Sequence, residues 1–194
     1  PEIDTAAYVF VLIFSRVILN EKITKGKLVG NLLIIAGILI DQGTKMLAVA
    51  HLKGQEAILI IPNVFQLQYL ENHGAAFGIL QNKRGFLLVI TICILAAITF
   101  FYRKIPAQKR FLPLHIAMIL VAAGALGNMI DRMVHGYVVD FLYFSCIRFP
   151  IFNIADCYVV IAAVIAVILI GFYYKEEDFE QLSLFSSSKK EETK

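Results

Sequence analysis

The chain has 194 residues, of which 59% are hydrophobic and 17% charged, and its mean hydropathy is +0.74. Soluble domains are about half apolar and about a quarter charged, so an ordinary water-soluble enzyme is excluded at the outset. The basic excess, 18 Lys plus Arg against 15 Asp plus Glu, is small and dispersed, which argues against a nucleic-acid partner. The three cysteines, with Cys93 inside an apolar run, make neither a disulfide framework nor a zinc-ligand spacing.

In chain order, residues 1–27 read as an N-terminal extension. Its apolar run at 6–20 carries Arg16 and is marginal as a membrane span. Before that run there is neither a basic leader nor a small-residue cleavage site, so no cleavable signal peptide is expected. The stretch from Thr5 to Ile40, including Leu19-Asn20-Glu21-Lys22-Ile23-Thr24 and Gly30-Asn31-Leu32-Leu33, loosely resembles the C-terminal end of small multidrug resistance transporters. The preferred reading is an apolar lead-in without activity of its own; whether it crosses the membrane or is the remnant of a fusion or misplaced gene start is left open at this point.

Four stretches, 28–40, 86–102, 114–130 and 158–174, contain no Asp, Glu, Lys or Arg. Each approaches bilayer-spanning length, and in hydrocarbon the backbone must satisfy itself as helix. Spans are therefore expected from Leu28 toward His51, Gly85 to Tyr102, Phe111 to Asp131, and Phe152 to Tyr174. Between the first two, Phe65, Leu67 and Tyr69 alternate with Gln66 and Gln68, which is strand periodicity. Between the last two, Tyr137 to Phe144 is β-branched and aromatic, again strand-like. The expected fold is an all-α integral membrane protein, a four-transmembrane-helix core over 28–174 with a small outward-facing β element. Residues 175–194, with an acidic cluster and Ser186-Ser187-Ser188, are expected to be a solvated, mobile cytoplasmic tail.

Basic residues set the orientation. Arg16 of the N-terminal run aside, eleven fall between residue 22 and the first span, between the second and third, and in the tail; six (Lys45, Lys53, Lys83, Arg84, Arg132 and Arg148) fall on the other side. Both ends of the core should face the cytoplasm, with 53–84 and 132–151 outside.

Intramembrane ionisable residues are costly and so are functional candidates. Asp41 is expected where the first span exits, Asp131 and Arg132 where the third exits, and Asp156 where the fourth enters. Asp140 lies in the outward segment among Val138, Val139, Phe141 and Leu142. The expected topology puts all of these carboxylates at one membrane depth on one side. Two carboxylates held close together retain one proton between them, so one can deprotonate water while the other donates to a peptide carbonyl. No Gly-x-Ser-x-Gly elbow, His-Glu-x-x-His helix or phosphate-cradling Gly-rich Lys loop competes with this. The four histidines are scattered.

Five blocks in order resemble the lipoprotein signal peptidases, or type II signal peptidases, over Leu28 to Tyr174. They are Asp41-Gln42-Gly43-Thr44-Lys45, Asn72-His73-Gly74-Ala75-Ala76-Phe77-Gly78, Gly124-Ala125-Leu126-Gly127-Asn128-Met129-Ile130-Asp131-Arg132, Gly136-Tyr137-Val138-Val139-Asp140-Phe141, and Phe152-Asn153-Ile154-Ala155-Asp156. The resemblance implies a bacterial cytoplasmic-membrane aspartyl endopeptidase, active at the outer face and without metal or cofactor. It would cut a prolipoprotein just before its lipidated cysteine. It further implies a catalytic pair of Asp140 and Asp156, with Asp41, Lys45, Asn72, Gly74, Asn128, Asp131, Arg132, Asn153 and Ala155 as binding or supporting positions. The implied partners are the prolipoprotein substrate and membrane phospholipid, and the protein is expected as a monomer.

Each position has a structural alternative. Asp140 and Asp156 could pair with a cation or cap a helix, and Asp156 opens a span where the helix dipole favours a carboxylate. Asp41 and Lys45, four residues apart on one helical face, could form a surface pair. Asp131 and Arg132 could pair with other elements, and Arg132 could contact lipid phosphate or a substrate carbonyl. Gly124 and Gly127 could serve close helix packing alone. Phe77, Phe141 and Phe144 are candidates to line a slot for acyl chains. Two rival functions remain at this point: a proton-coupled transporter, which needs carboxylates near mid-bilayer, and a scaffold, which would tolerate loss of both acids.

Overall fold

In the computed structural model, residues 25–75 and 79–182 are described. The apolar run at 6–20 and Phe77 therefore lie outside the described residues. Helix α1 spans Lys25–Leu52, about 42 Å at the usual rise per residue. It is followed by strands β1 (Ile58–Ile61) and β2 (Phe65–Asn72), and by helix α2 (Arg84–Lys104). A tight turn at Lys109–Phe111 leads into α3 (Leu112–Val134), then strand β3 (Val138–Phe144) and helix α4 (Ile154–Ile168). The last helix continues through a wider π turn, Leu169–Tyr173, closed by Tyr174 N–H donating to Leu169 O at 2.8 Å. The four helices, these turns included, are long and apolar enough to cross a membrane.

Local chemistry explains the boundaries. Helix α2 ends on Arg103 and Lys104, favoured at the negative pole of the helix, and Pro106 holds the intervening Ile105 in an extended conformation. Helix α3 carries Pro113 in its first turn, where a missing N–H leaves no helical bond unmade. Gly136 turns the chain from α3 into β3 at φ +87°, a conformation that suits glycine. Pro62 and Asn63 occupy the centre of the β1–β2 turn, with Asn63 at φ +60° and Val64 N–H donating to Ile61 O at 3.0 Å.

Helix α3 is the hub, packing against α1, α2 and α4. Its buried positions are largely small: Ala117, Ala122, Ala123, Gly124 and Gly127. One core cluster joins Ile38 of α1, Leu95 of α2, and Ala122, Leu126 and Met129 of α3. Large apolar side chains such as Leu32, Leu39, Phe86, Val160 and Val167 point away from the protein, as helices meeting lipid require.

The strands form an antiparallel sheet in the order β1-β2-β3, with Leu70 opposite Asp140 and Asn72 opposite Val138. Its buried face, Val139 and Phe141, packs on Ala48 and Leu52 at the end of α1. Strand β2 matches the alternation of the sequence, and β3 its β-branched and aromatic run. Strand β1 was not expected, because Ile58-Leu59-Ile60-Ile61 is continuously apolar and lacks alternation, and all four residues are exposed.

Two expectations are corrected here. Asp41 does not mark the end of the first span, because α1 continues from it to Leu52. The chain after Lys175 does not run directly into solvated coil. It forms helix α5 (Glu176–Gln181), whose buried Asp178 pairs with Arg110 at 2.7 Å.

Candidate active site

Helix α4 starts with a capping box. Asn153 Oδ1 accepts from Asp156 N–H at 3.0 Å, and Asn153 N–H donates to Asp156 Oδ2 at 3.1 Å. The cap thus fixes the Asp156 carboxylate at the positive pole of the helix. It also fixes the Asn153 amide, because the oxygen is taken by a donor and the nitrogen must point elsewhere. That nitrogen donates to Asp140 Oδ1 at 2.6 Å. Asn153 therefore meets both carboxyls, Asp140 through its side chain and Asp156 through its backbone N–H.

A second amide repeats the link. Asn128 Nδ2 donates to Asp156 Oδ1 at 2.8 Å, while Asn128 Oδ1 accepts from Asn153 Nδ2 at 3.1 Å and from Lys45 Nζ at 2.9 Å. An ammonium only donates, so Lys45 holds the Asn128 oxygen toward itself and the amide hydrogens toward Asp156. On the sheet side, Asn72 Nδ2 donates to Asp140 Oδ2 at 2.9 Å, and Asn72 Oδ1 accepts from Gly74 N–H at 2.9 Å. Asp140 is buried and Asp156 half-buried. Burial, together with the nearby charge of Asp156, pushes the Asp140 carboxyl up to about 7, against the opposing pull of its amide donors.

Below the pair lies a buried ionic cluster. Lys45 Nζ sits 2.8 Å from Asp41 Oδ2 and 3.1 Å from Asp131 Oδ2. Asp41 and Lys45 do pair along one helical face, but the pair is buried between helices rather than on the surface. Lys45 consequently drops out of the basic residues counted for the outward segments. Asp41 Oδ1 accepts from Ala155 N–H at 2.9 Å, and Asp131 Oδ2 from Val139 N–H at 3.0 Å. Arg132 turns the other way, donating to Gly74 O at 3.0 Å and Asn128 O at 3.3 Å.

The glycines of α3 make this convergence feasible. A Cβ on Gly127 would lie 2.5 Å from Asp41 Oδ2, and one on Gly124 would lie 2.5 Å from Ala155 O. Gly127 therefore makes room for a carboxylate as well as for a helix. In the loop, a Cβ on Gly74 would lie 2.6 Å from Ile79 O.

The structure gathers Asp140, Asp156, Asn72, Gly74, Asn128, Asn153, Asp41, Lys45, Asp131, Arg132 and Ala155 into one connected set. Gln42 belongs to it too, although no role was expected of it. Its Nε2 donates to Asp131 Oδ1 at 2.9 Å and to Asp41 Oδ2 and Gly127 O, both at 3.2 Å. An amide directly beside Asp41 in an apolar helix was the available signal. Phe141 is buried in the sheet core, whereas Phe144 is exposed. Cys146 and Cys157 are free thiols.

The model of the signal peptidase II family matches residues 33–172. The lipoprotein signal peptidase of Clostridium tetani (strain Massachusetts / E88) is 38% identical over 158 residues, covering 80% of this chain and 98% of that protein. That of Symbiobacterium thermophilum is 43% identical over 126 residues, 64% of this chain and 82% of the relative. A bacterial membrane enzyme solved by the in meso method at 1.9 Å resolution is 34% identical with a TM-score of 0.67, covering 80% of this chain and 99% of that one. With the four apolar helices, the small sheet and a match over most of its length, this chain belongs to the signal peptidase II family of membrane proteases.

Proposed function

We propose that this protein is a membrane-embedded aspartyl endopeptidase that removes the signal peptide from diacylglyceryl-modified prolipoproteins, cutting just before the lipidated cysteine. Asp140 and Asp156 do the chemistry, and the observation that carries this reading is the single residue Asn153 bound to both carboxyls, to Asp140 through its side-chain amide and to Asp156 through its backbone N–H. With its pKa raised to about 7, Asp140 holds a proton near neutrality. Asp156, in the capping box of α4 and partly open to solvent, acts as the base.

In the forward step the Asp156 carboxylate takes a proton from water as the water oxygen bonds to the scissile carbonyl carbon. Asp140 gives its proton to the carbonyl oxygen. The tetrahedral diol then collapses. Its C–N bond breaks as the proton held on Asp156 passes to the leaving amine, and a diol hydroxyl returns its proton to Asp140. Lys45, through Asn128, and Asn72 keep the two carboxyls oriented throughout. The substrate's signal helix and lipid both partition into the bilayer, so entry is lateral. The excess of basic residues at the opposite end supports a site at the outer face of the bacterial cytoplasmic membrane.

The test uses purified full-length protein in detergent with a diacylglyceryl-modified precursor, with and without chelator. Cleavage before the modified cysteine, unaffected by chelator, is expected. Asp140→Asn and Asp156→Asn should each lower the rate by about 10⁴-fold while still unfolding cooperatively on heating. Processing retained by either variant overturns the assignment.

A further inference from the structure

The residues preceding the two proposed catalytic acids are gripped in the same manner. Val139, immediately before Asp140, donates its N–H to Asp131, and Ala155, immediately before Asp156, donates its N–H to Asp41. These two gripping carboxylates belong to different helices, α3 and α1. They are joined to each other by Gln42, whose Nε2 reaches Asp131 Oδ1 at 2.9 Å and Asp41 Oδ2 at 3.2 Å, and by Lys45. A continuous path of short contacts thus runs from the backbone of β3, through Asp131, Gln42 with Lys45, and Asp41, to the backbone at the start of α4.

Two buried carboxyl groups facing one ammonium repel each other wherever both carry charge. Amide hydrogens directed at both oxygens offset that repulsion without adding charge. Gln42 supplies them from within α1, one of its two amide hydrogens being shared with the Gly127 carbonyl. Resting on the two-acid reading above, we propose that Gln42 is a positioning residue that, with Lys45, sets the separation of Asp140 and Asp156 by bracing the carboxylates that hold their backbones.

Displacing a catalytic group by about 1 Å can cost about 10²-fold in rate, whereas the Gln42 amide is turned inward onto Asp41, Asp131 and Gly127 and so acts on the chemical step through them. For Gln42→Met, which keeps the side-chain length and removes the donors, kcat should therefore fall about 10- to 100-fold with KM unchanged within about twofold. Gln42→Glu, which sets a third carboxylate against Asp41 and Asp131, should lose at least as much. Both are assayed on the full chain with the diacylglyceryl-modified precursor, with thermal unfolding giving the folded fraction. An unchanged kcat in Gln42→Met, or a loss fully explained by unfolded protein, overturns the proposal. Asp140→Asn runs in parallel. If it stays active, the two-acid reading fails; if it is inactive beside a fully active Gln42→Met, only the positioning role fails.

Discussion

The two ends of α3 both carry ion pairs, built on opposite terms. Near its C-terminal end, Lys45 lies between Asp41 and Asp131 with the three side chains 3%, 0% and 2% exposed. Each oxygen of both acids has a donor. At its N-terminal end, Arg110 grips Asp178 at 2.7 Å with the two side chains 35% and 12% exposed, and its guanidinium stacks 4.1 Å from the Tyr173 ring. The guanidinium holds the Asp178 carboxyl below the usual carboxylate range. Geometry is good at both ends, so burial sets the energetic weight. Water can replace either partner of the Arg110 clasp, whereas nothing replaces Lys45 if it is removed.

Removing Lys45 should break that contrast most severely. Lys45→Met strands two buried carboxylates, so a loss of about 3–5 kcal/mol is expected, visible as a large fall in unfolding temperature in detergent or as failure to accumulate in the membrane. A melting temperature near the wild type would mean that the cluster is far wetter than its burial indicates. Gly127→Ala comes next. The added methyl meets Asp41 Oδ2, and about 1–3 kcal/mol should be lost as the carboxylate is displaced; an unchanged melting curve would show that α1 and α3 can part without penalty.

The pH dependence of stability sharpens the same distinction at the proposed catalytic pair. Asp140 titrates at about 7 in the folded protein against an ordinary value of 3.8. Between these values the folded state binds more protons than the unfolded one, so this group's contribution is most favourable at acid pH and falls as pH rises toward 7. Melting temperatures from about pH 4 to about pH 8 should decline less steeply for Asp140→Asn than for the wild type, and equal slopes would count against a perturbed Asp140. The smallest effect belongs to the outer clasp. Asp178→Ala should move the melting temperature by about 2 °C or less, and less still at high salt. A larger, salt-independent shift would make α5 an integral part of the core.

Much of this arrangement was legible in one dimension. Uninterrupted apolar runs located the helices, because a backbone in hydrocarbon has few alternatives. Alternation in Phe65 to Tyr69 located β2. Residues 58–61 hid their strand, since a continuously apolar tetrapeptide carries no period. The tail's first turns were hidden too: α5 is held by Asp178 meeting Arg110, a residue 68 positions away, and no local signal announces that pairing. Gln42 stood in plain view beside Asp41, yet its role depends on Asp131, brought to it only by helix packing.

By itself the sequence determined the spans, the polar residues that had to be accounted for within them, and the family blocks that name those residues. These follow from the cost of exposing backbone and charge to lipid, which acts on every stretch of chain independently. Only the tertiary structure decided that Asp140 and Asp156 share Asn153, that Lys45 is buried rather than solvated, and that Gly127 is small to admit a carboxylate. Those facts depend on side-chain geometry between elements distant along the chain, and hydropathy and spacing carry no information about it.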